Sequence, residues 1–179
     1  LRHRGWQASD ACPLCHHSNE KSSHVLKCPN NEATELFTHK VDNELKHTLE
    51  KESTCPNLQE IILEILKSRR RGYRPDFTVA YTNPDLKDAI RAQQKIGWDN
   101  FVLGRWSPLW QTVQARFLST FEKKQSPQRW AIAIIKKLTM ITWDMWQFQN
   151  GIVHSAAGPD ALAQHARLGC KTDEEFTKG

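Results

Sequence analysis

Apolar residues recur at helical spacing along most of this chain. In "ATELFTHKVDNELKHTLEKES", residues 33–53, Phe37, Val41, Leu45 and Leu49 stand four apart with Leu36 beside them, which predicts one helical stripe. In "STCPNLQEIILEILKSRR" a second stripe of Leu58, Ile61, Ile62, Ile65 and Leu66 follows Ser53 or Thr54 as a cap and Pro56 in the first turn. That helix is expected to fray into "SRRRGYRP", ended by Gly72 and Pro75. The only strand-like composition is the short "DFTVAYT". Asn83-Pro84 opens a helix with Leu86, Ile90 and Ile96 that stops near Gly97. "GWDNFVLGRWSP" reads as a short helical turn and a connector. Ser107-Pro108 opens a helix with Trp110, Val113, Phe117 and Phe121 on one side. Ser126-Pro127 opens the longest, lined by Trp130, Ile134, Leu138, Ile141, Met145 and Phe148 up to about Asn150-Gly151. The last residues are polar, contain Gly158-Pro159, and read as loosely held.

The pattern therefore predicts a mostly α fold in three parts. Residues 1–30 form a small knuckle, 31–154 a domain of about five helices, and 155–179 a loose tail.

The knuckle rests on "CPLCHHSNEKSSHVLKCP", residues 12–29, where Cys12, Cys15, His24 and Cys28 are spaced Cys-x2-Cys-x8-His-x3-Cys. A Cys-x2-Cys turn brings two thiolates to one ion, and a His and Cys four apart share one face of a helical turn. Borderline-soft ligands with no open position favour one structural zinc ion, which leaves no place for a substrate water. So small a segment has only Leu14, Val25 and Leu26 to bury, whereas structural zinc contributes about 10–16 kcal/mol in finger peptides. Pro13 and Pro29 stiffen the chain beside the ligands, and Ser22 or Ser23 can cap the turn carrying His24. His16 and His17 are competing donors, though their adjacency to Cys15 makes a closed tetrahedron awkward. Cys55 reads as a buried thiol.

Composition narrows the classes. With 179 residues, 39% hydrophobic, and seven Trp and seven Phe, the chain can build a core and is not disordered. Five Cys, three of them in the cluster, suit a metal site in a reducing, intracellular setting better than a disulfide framework. The longest apolar run, Trp130 to Ile135, is too short for a membrane span, and no signal-peptide pattern opens the chain. It begins at Leu1, as a piece of a longer polypeptide would. The net charge of +5 is patchy: residues 31–66 hold three Lys against eight acids, residues 67–74 hold five basic residues and no acid, and residues 102–130 hold five against one.

The cluster resembles the zinc-binding region downstream of the reverse-transcriptase domain in non-LTR retrotransposon polyproteins. The resemblance lies in Cys12, Pro13 and Cys15, in Glu20 four before His24, and in "HVLKCP" ending at Cys28-Pro29. Further on, "IGWDNFVLGRWSPLWQTVQARF" is similar to a stretch of such reading frames. "RWAIAIIKKLTMITWDMWQFQNGIVH" is similar to their closing helix, with Trp130, Trp146, Asn150 and His154 in the matching places. The similarity spans residues 12 to about 154. Where many relatives carry an Arg before that Asn, this chain has Gln149. The paired catalytic aspartates of the polymerase are absent, so the piece corresponds to the tail of an RNA-directed DNA polymerase and not to its active site. The resemblance implies Cys12, Cys15, His24 and Cys28 as ligands, nucleic acid (RNA or DNA) as partner, contact with the polymerase domain of the same polypeptide, and a nuclear place for the parent element.

The expected contact surface is "KSRRRGYR": Lys67, Arg69, Arg70, Arg71 and Arg74 for phosphates, and Tyr73 for stacking on a base. The same residues also suit a solvated helix C-terminus. Six tryptophans (98, 106, 110, 130, 143 and 146) at helical spacing are expected in the core rather than on a stacking surface. A second reading is a zinc-stapled protein-interaction module. A third is a nuclease, since Pro75-Asp76 followed by Asp85-x-Lys87 has the spacing of a restriction-like enzyme. That chemistry needs a sheet, and "PDLKDAIRAQQ" reads as the first turns of a helix.

Overall fold

The computed structural model describes residues 11–18, 21–73, 75–77, 81–121 and 125–156, without the side chains of Ser22 and of 153–156. Arg74, residues 78–80 of the strand-like stretch, and the tail from 157 lie outside them.

The protein is mostly helical, with a Cys/His-rich turn region before its helices. A 3-10 turn, Ser22–His24, precedes α1 (Asn31–His39), which continues through a π-helical segment (Lys40–Leu45) into α2 (Lys46–Lys51). Then come α3 (Pro56–Arg71), α4 (Pro84–Ile96), α5 (Trp98–Val102), α6 (Leu109–Ser119) and α7 (Pro127–Ala156). Counting 31–51 as one rod, the described residues form six helices and no strand. No helix among them is long and apolar enough to cross a membrane. The chain divides into two compact units, one of residues 21–145 and one of 1–20 with 146–179.

In the larger unit the π segment has a geometric reason. An α-helix turns about 400° in four residues, so a stripe spaced strictly by four drifts about 40° per step. Phe37, Val41, Leu45 and Leu49 would wind away from the core. A wider π turn takes the drift back, and all four are at most 3% exposed. Asn30 starts the rod, its Oδ1 accepting from the Ala33 N–H at 3.1 Å.

α3 buries the predicted Leu58, Ile61, Ile62, Ile65 and Leu66. Its start differs from expectation. Cys55 holds the N-cap position with no side-chain cap, and neither Ser53 nor Thr54 takes that part. Instead the Cys55 N–H donates to Gln114 Oε1 at 2.9 Å, while Thr54 Oγ1 accepts from the Trp130 indole at 2.9 Å. A buried Gln replaces a local cap because the loop lies under α6 and α7. The other end runs intact to Arg71, where Gly72 at φ 79° lets its N–H reach the Arg69 carbonyl and the Tyr73 N–H reach the Ser68 carbonyl.

Asn83 caps α4 as expected, accepting from the N–H groups of Asp85 and Leu86. Beyond it a second buried amide organises the connector. Gln93 is fully buried; its Nε2 donates to the Gly97 and Arg105 carbonyls, and its Oε1 accepts from the Ser107 N–H and the Trp110 indole. Aromatic rings pack around this connector: Phe101 stacks on Trp106 at 4.5 Å and meets Trp98 and Trp110 at 6.0 Å. Four of the six tryptophans, Trp98, Trp106, Trp110 and Trp130, belong to this packed set, with Trp110 and Trp130 fully buried. Trp143 and Trp146 are exposed, which departs from the expectation that they join the core. α7 also runs five residues past Gly151.

Gly104 adopts φ 78°, and a Cβ there would stand 2.8 Å from Ile135 Cγ2. Gly104→Ala is therefore expected to lower stability by about 1–3 kcal/mol, read as a shifted urea midpoint with unchanged slope.

A charge network joins the π segment to α7. Lys40 pairs with Glu44 and with Asp144, each at 2.8 Å, and Lys137 also pairs with Glu44. Hydrogen bonds from Lys137 and then Lys40 pull the Glu44 carboxyl down to about 2. A depressed carboxylate contributes stability above its unfolded value of 4.5 and loses it as pH falls toward 2. Glu44→Gln should flatten the acid limb of the stability curve between those values, by no more than about 1 kcal/mol because the pair is partly solvated.

Candidate metal centre

The first two ligands sit on a tight turn. The His16 N–H donates to the Cys12 carbonyl at 2.8 Å, the Cys12 N–H donates to the His17 carbonyl at 2.9 Å, and His16 closes the loop at φ 58°. A left-handed residue just after the second Cys folds the turn back, a place where glycine has the lowest cost. The other two ligands sit on the 3-10 turn and the turn after it. There the His24 N–H donates to the Lys21 carbonyl and the Lys27 N–H to the His24 carbonyl, each at 2.8 Å. Lys21 occupies the N-cap with no side-chain cap, and Ser23 is exposed, so the expected serine cap is not made by Ser23. Val25 and Leu26 are buried, and Leu14 is half-buried.

The ligand atoms of Cys12, Cys15, His24 and Cys28 all lie within 4.8 Å of one another. Cys12 and Cys28 are buried, while Cys15 and His24 are partly so. A tetrahedron with bonds of about 2.3 Å has edges of about 3.7 Å, so closing this group moves each atom by about 0.6 Å or less, within reach of side-chain rotation. Three thiols and an imidazole so placed can hold one metal ion, and the donor set is compatible with zinc. His16 and His17 are exposed and stand outside the group of four.

Two residues not expected at this centre support it. Gln149, buried on α7, donates from Nε2 to Cys12 Sγ at 3.5 Å. Arg70 lies over the Phe37 ring, 4.8 Å from its centroid. It donates to the Leu26 carbonyl at 3.1 Å, and to the Cys28 carbonyl and Thr34 Oγ1 at 2.7 Å each. Burial lowers its pKa, and the neighbouring Cys28 acts in the opposite direction. The guanidinium thus fastens the last ligand's backbone to α1 and α3 and brings positive charge to a thiolate-rich site. The sequence hides this role, because three consecutive arginines at a helix end all look solvent-facing.

The rest of the expected contact surface is distributed. Lys67 pairs with Asp42 at 2.7 Å, and Arg69 pairs with Asp99. Arg71 is exposed. Tyr73 is 44% exposed and donates to Glu64, a bond that raises its pKa. Asp76 is exposed, and Asp85 sits in the first turn of α4 paired with Arg116, two residues before a half-buried Lys87. Asp85 and Lys87 thus stand on a helix, with no described strand to present them as a nuclease would.

Comparison with models of known protein families, with curated protein sequences and with solved structures gives no match.

Proposed function

We propose that this chain is a non-catalytic, zinc-stapled helical module that binds nucleic acid, corresponding to the closing region of a retrotransposon reverse transcriptase. The observation that carries the reading is the convergence of Cys12, Cys15, His24 and Cys28, since these are the residues that bear the resemblance. Three thiolates and an imidazole saturate a zinc ion, so the metal orders the chain and performs no hydrolysis. The parent polypeptide, acting on its own RNA at a DNA target, would supply the polymerase chemistry and the nuclear setting.

The nucleic-acid contact is a narrower surface than the run Lys67 to Arg74. Arg70 serves the metal centre and Lys67 pairs with Asp42, which leaves Arg71, Tyr73 and Arg69, the last held only by the largely exposed Asp99, among the described residues of that run. Binding is expected to show little sequence preference and to weaken about tenfold or more between 50 and 200 mM salt. Titration of a labelled single strand at several salt concentrations checks this. Absence of binding at 50 mM by a folded, metal-loaded chain would overturn the reading.

One observation favours a second reading, a zinc-stapled module that docks another protein. Ile132, Met140 and Trp143 on α7 are 64%, 47% and 55% exposed. A chain that captures a protein partner and ignores nucleic acid at every salt concentration would establish that alternative.

A further inference from the structure

Between the end of α3, the start of α5 and the knuckle lies a cleft of about 80 Å³, lined chiefly by Lys27, Ser68, Arg69, Tyr73, Trp98 and Asp99. At roughly 30 Å³ per water it has room for two or three waters or one tetrahedral oxyanion.

Its chemistry is under-satisfied on the positive side. The Arg69 side chain is 11% exposed; it gives one Nη1 bond to Asp99, while its Nε is buried with no hydrogen-bond partner. Buried donors without acceptors are uncommon and point to a group that completes them. Lys27 is exposed and makes no ion pair among the described residues. Asp99, the only carboxylate among the described lining residues, is 65% exposed, so it can yield Arg69 to a better acceptor at small desolvation cost. At the rim stands the half-exposed ring of Tyr73, with Arg71 beside its hydroxyl.

We propose that this cleft binds one phosphodiester group of a single-stranded nucleic acid, held by Lys27 and Arg69, with the adjoining base stacked on Tyr73. A guanidinium and an ammonium flanking one oxyanion is a recurrent phosphate geometry, and stacking on an aromatic rim tolerates every base. The inference rests on the nucleic-acid reading above and adds the seat of the contact. It moves the site from the run 67–74 to a pocket shared by the knuckle, α3 and α5.

The test uses the whole zinc-loaded chain with fluorescein-labelled oligo-dT and oligo-rU, and with inorganic phosphate as competitor. Lys27→Gln should weaken oligonucleotide binding 3- to 10-fold and lower the salt slope by about one. Asp99→Asn should strengthen binding 3-fold or more, because it removes the competing carboxylate. Thermal unfolding and metal content confirm that both variants fold. Opposite responses of the two variants support the cleft. Any other pattern, in a wild-type chain that binds oligonucleotide, overturns the cleft and leaves the broader reading standing. No binding by the wild type overturns both. Phosphate that binds and depends on Lys27, in a chain that ignores both oligonucleotides, overturns the nucleic-acid assignment in favour of a free-phosphate site.

Discussion

Cys28→Ser is expected to remove the metal and release the segment 11–28 while α1 to α7 stay folded. The serine hydroxyl is a poor zinc ligand at neutral pH, and the remaining two thiols and imidazole lose the closed tetrahedron. About 10–16 kcal/mol of apparent metal-binding energy orders knuckles of this kind. The buried side chains available to replace it here are few: Cys12, Val25, Leu26 and Cys28 itself. The helices have their own core, from Phe37 through Leu66 to Ile141, so their cooperative unfolding should survive. Limited proteolysis reads the difference: cleavage moves into residues 11–28 of the variant, and the helical remainder stays resistant. A variant as resistant as the wild type throughout would mean that packing alone holds the knuckle.

Gln93→Leu is the second large effect, with an expected loss of about 3–5 kcal/mol. The substitution keeps shape and helix propensity, yet leaves the Arg105 carbonyl and two N–H groups (Ser107 and the Trp110 indole) without those partners, and takes from the Gly97 carbonyl one of its three donors. Each orphaned buried group costs about 1–3 kcal/mol, partly relieved where the connector can admit water. The urea midpoint should fall with little change in slope. A Leu variant within about 1 kcal/mol of wild type would show that the connector needs no such clamp.

Most of the helical frame was legible because its cause is local. The stripe at 58–66, the Asn83 cap, and the glycines at 72 and 97 all act within a turn or two of their own position. The metal group was legible for a related reason, since ligand chemistry fixes both residue type and short spacing. What stayed hidden is long-range. Gln93, Gln114 and Gln149 look like ordinary polar residues of amphipathic helices, and each is buried by contacts that spacing does not encode. Arg70 is hidden by its neighbours: only the packing decides which of Arg69, Arg70 and Arg71 turns inward. The π segment was foreshadowed by the strict four-residue spacing of Phe37, Val41, Leu45 and Leu49, which suits a helix slightly wider than α. Trp143 and Trp146 show the opposite limit, since helical spacing of tryptophans names a face without saying what lies against it.

Cobalt substitution of the reduced chain reports whether Cys12, Cys15, His24 and Cys28 close on one ion. One cobalt per chain, with the intense visible bands of tetrahedral thiolate coordination and thiolate-to-metal charge transfer for three sulfurs, is the predicted result; His24→Ala should alter the bands and weaken retention. A folded, reduced chain that holds no stoichiometric metal, or that shows the weak bands of an octahedral oxygen site, would contradict the account.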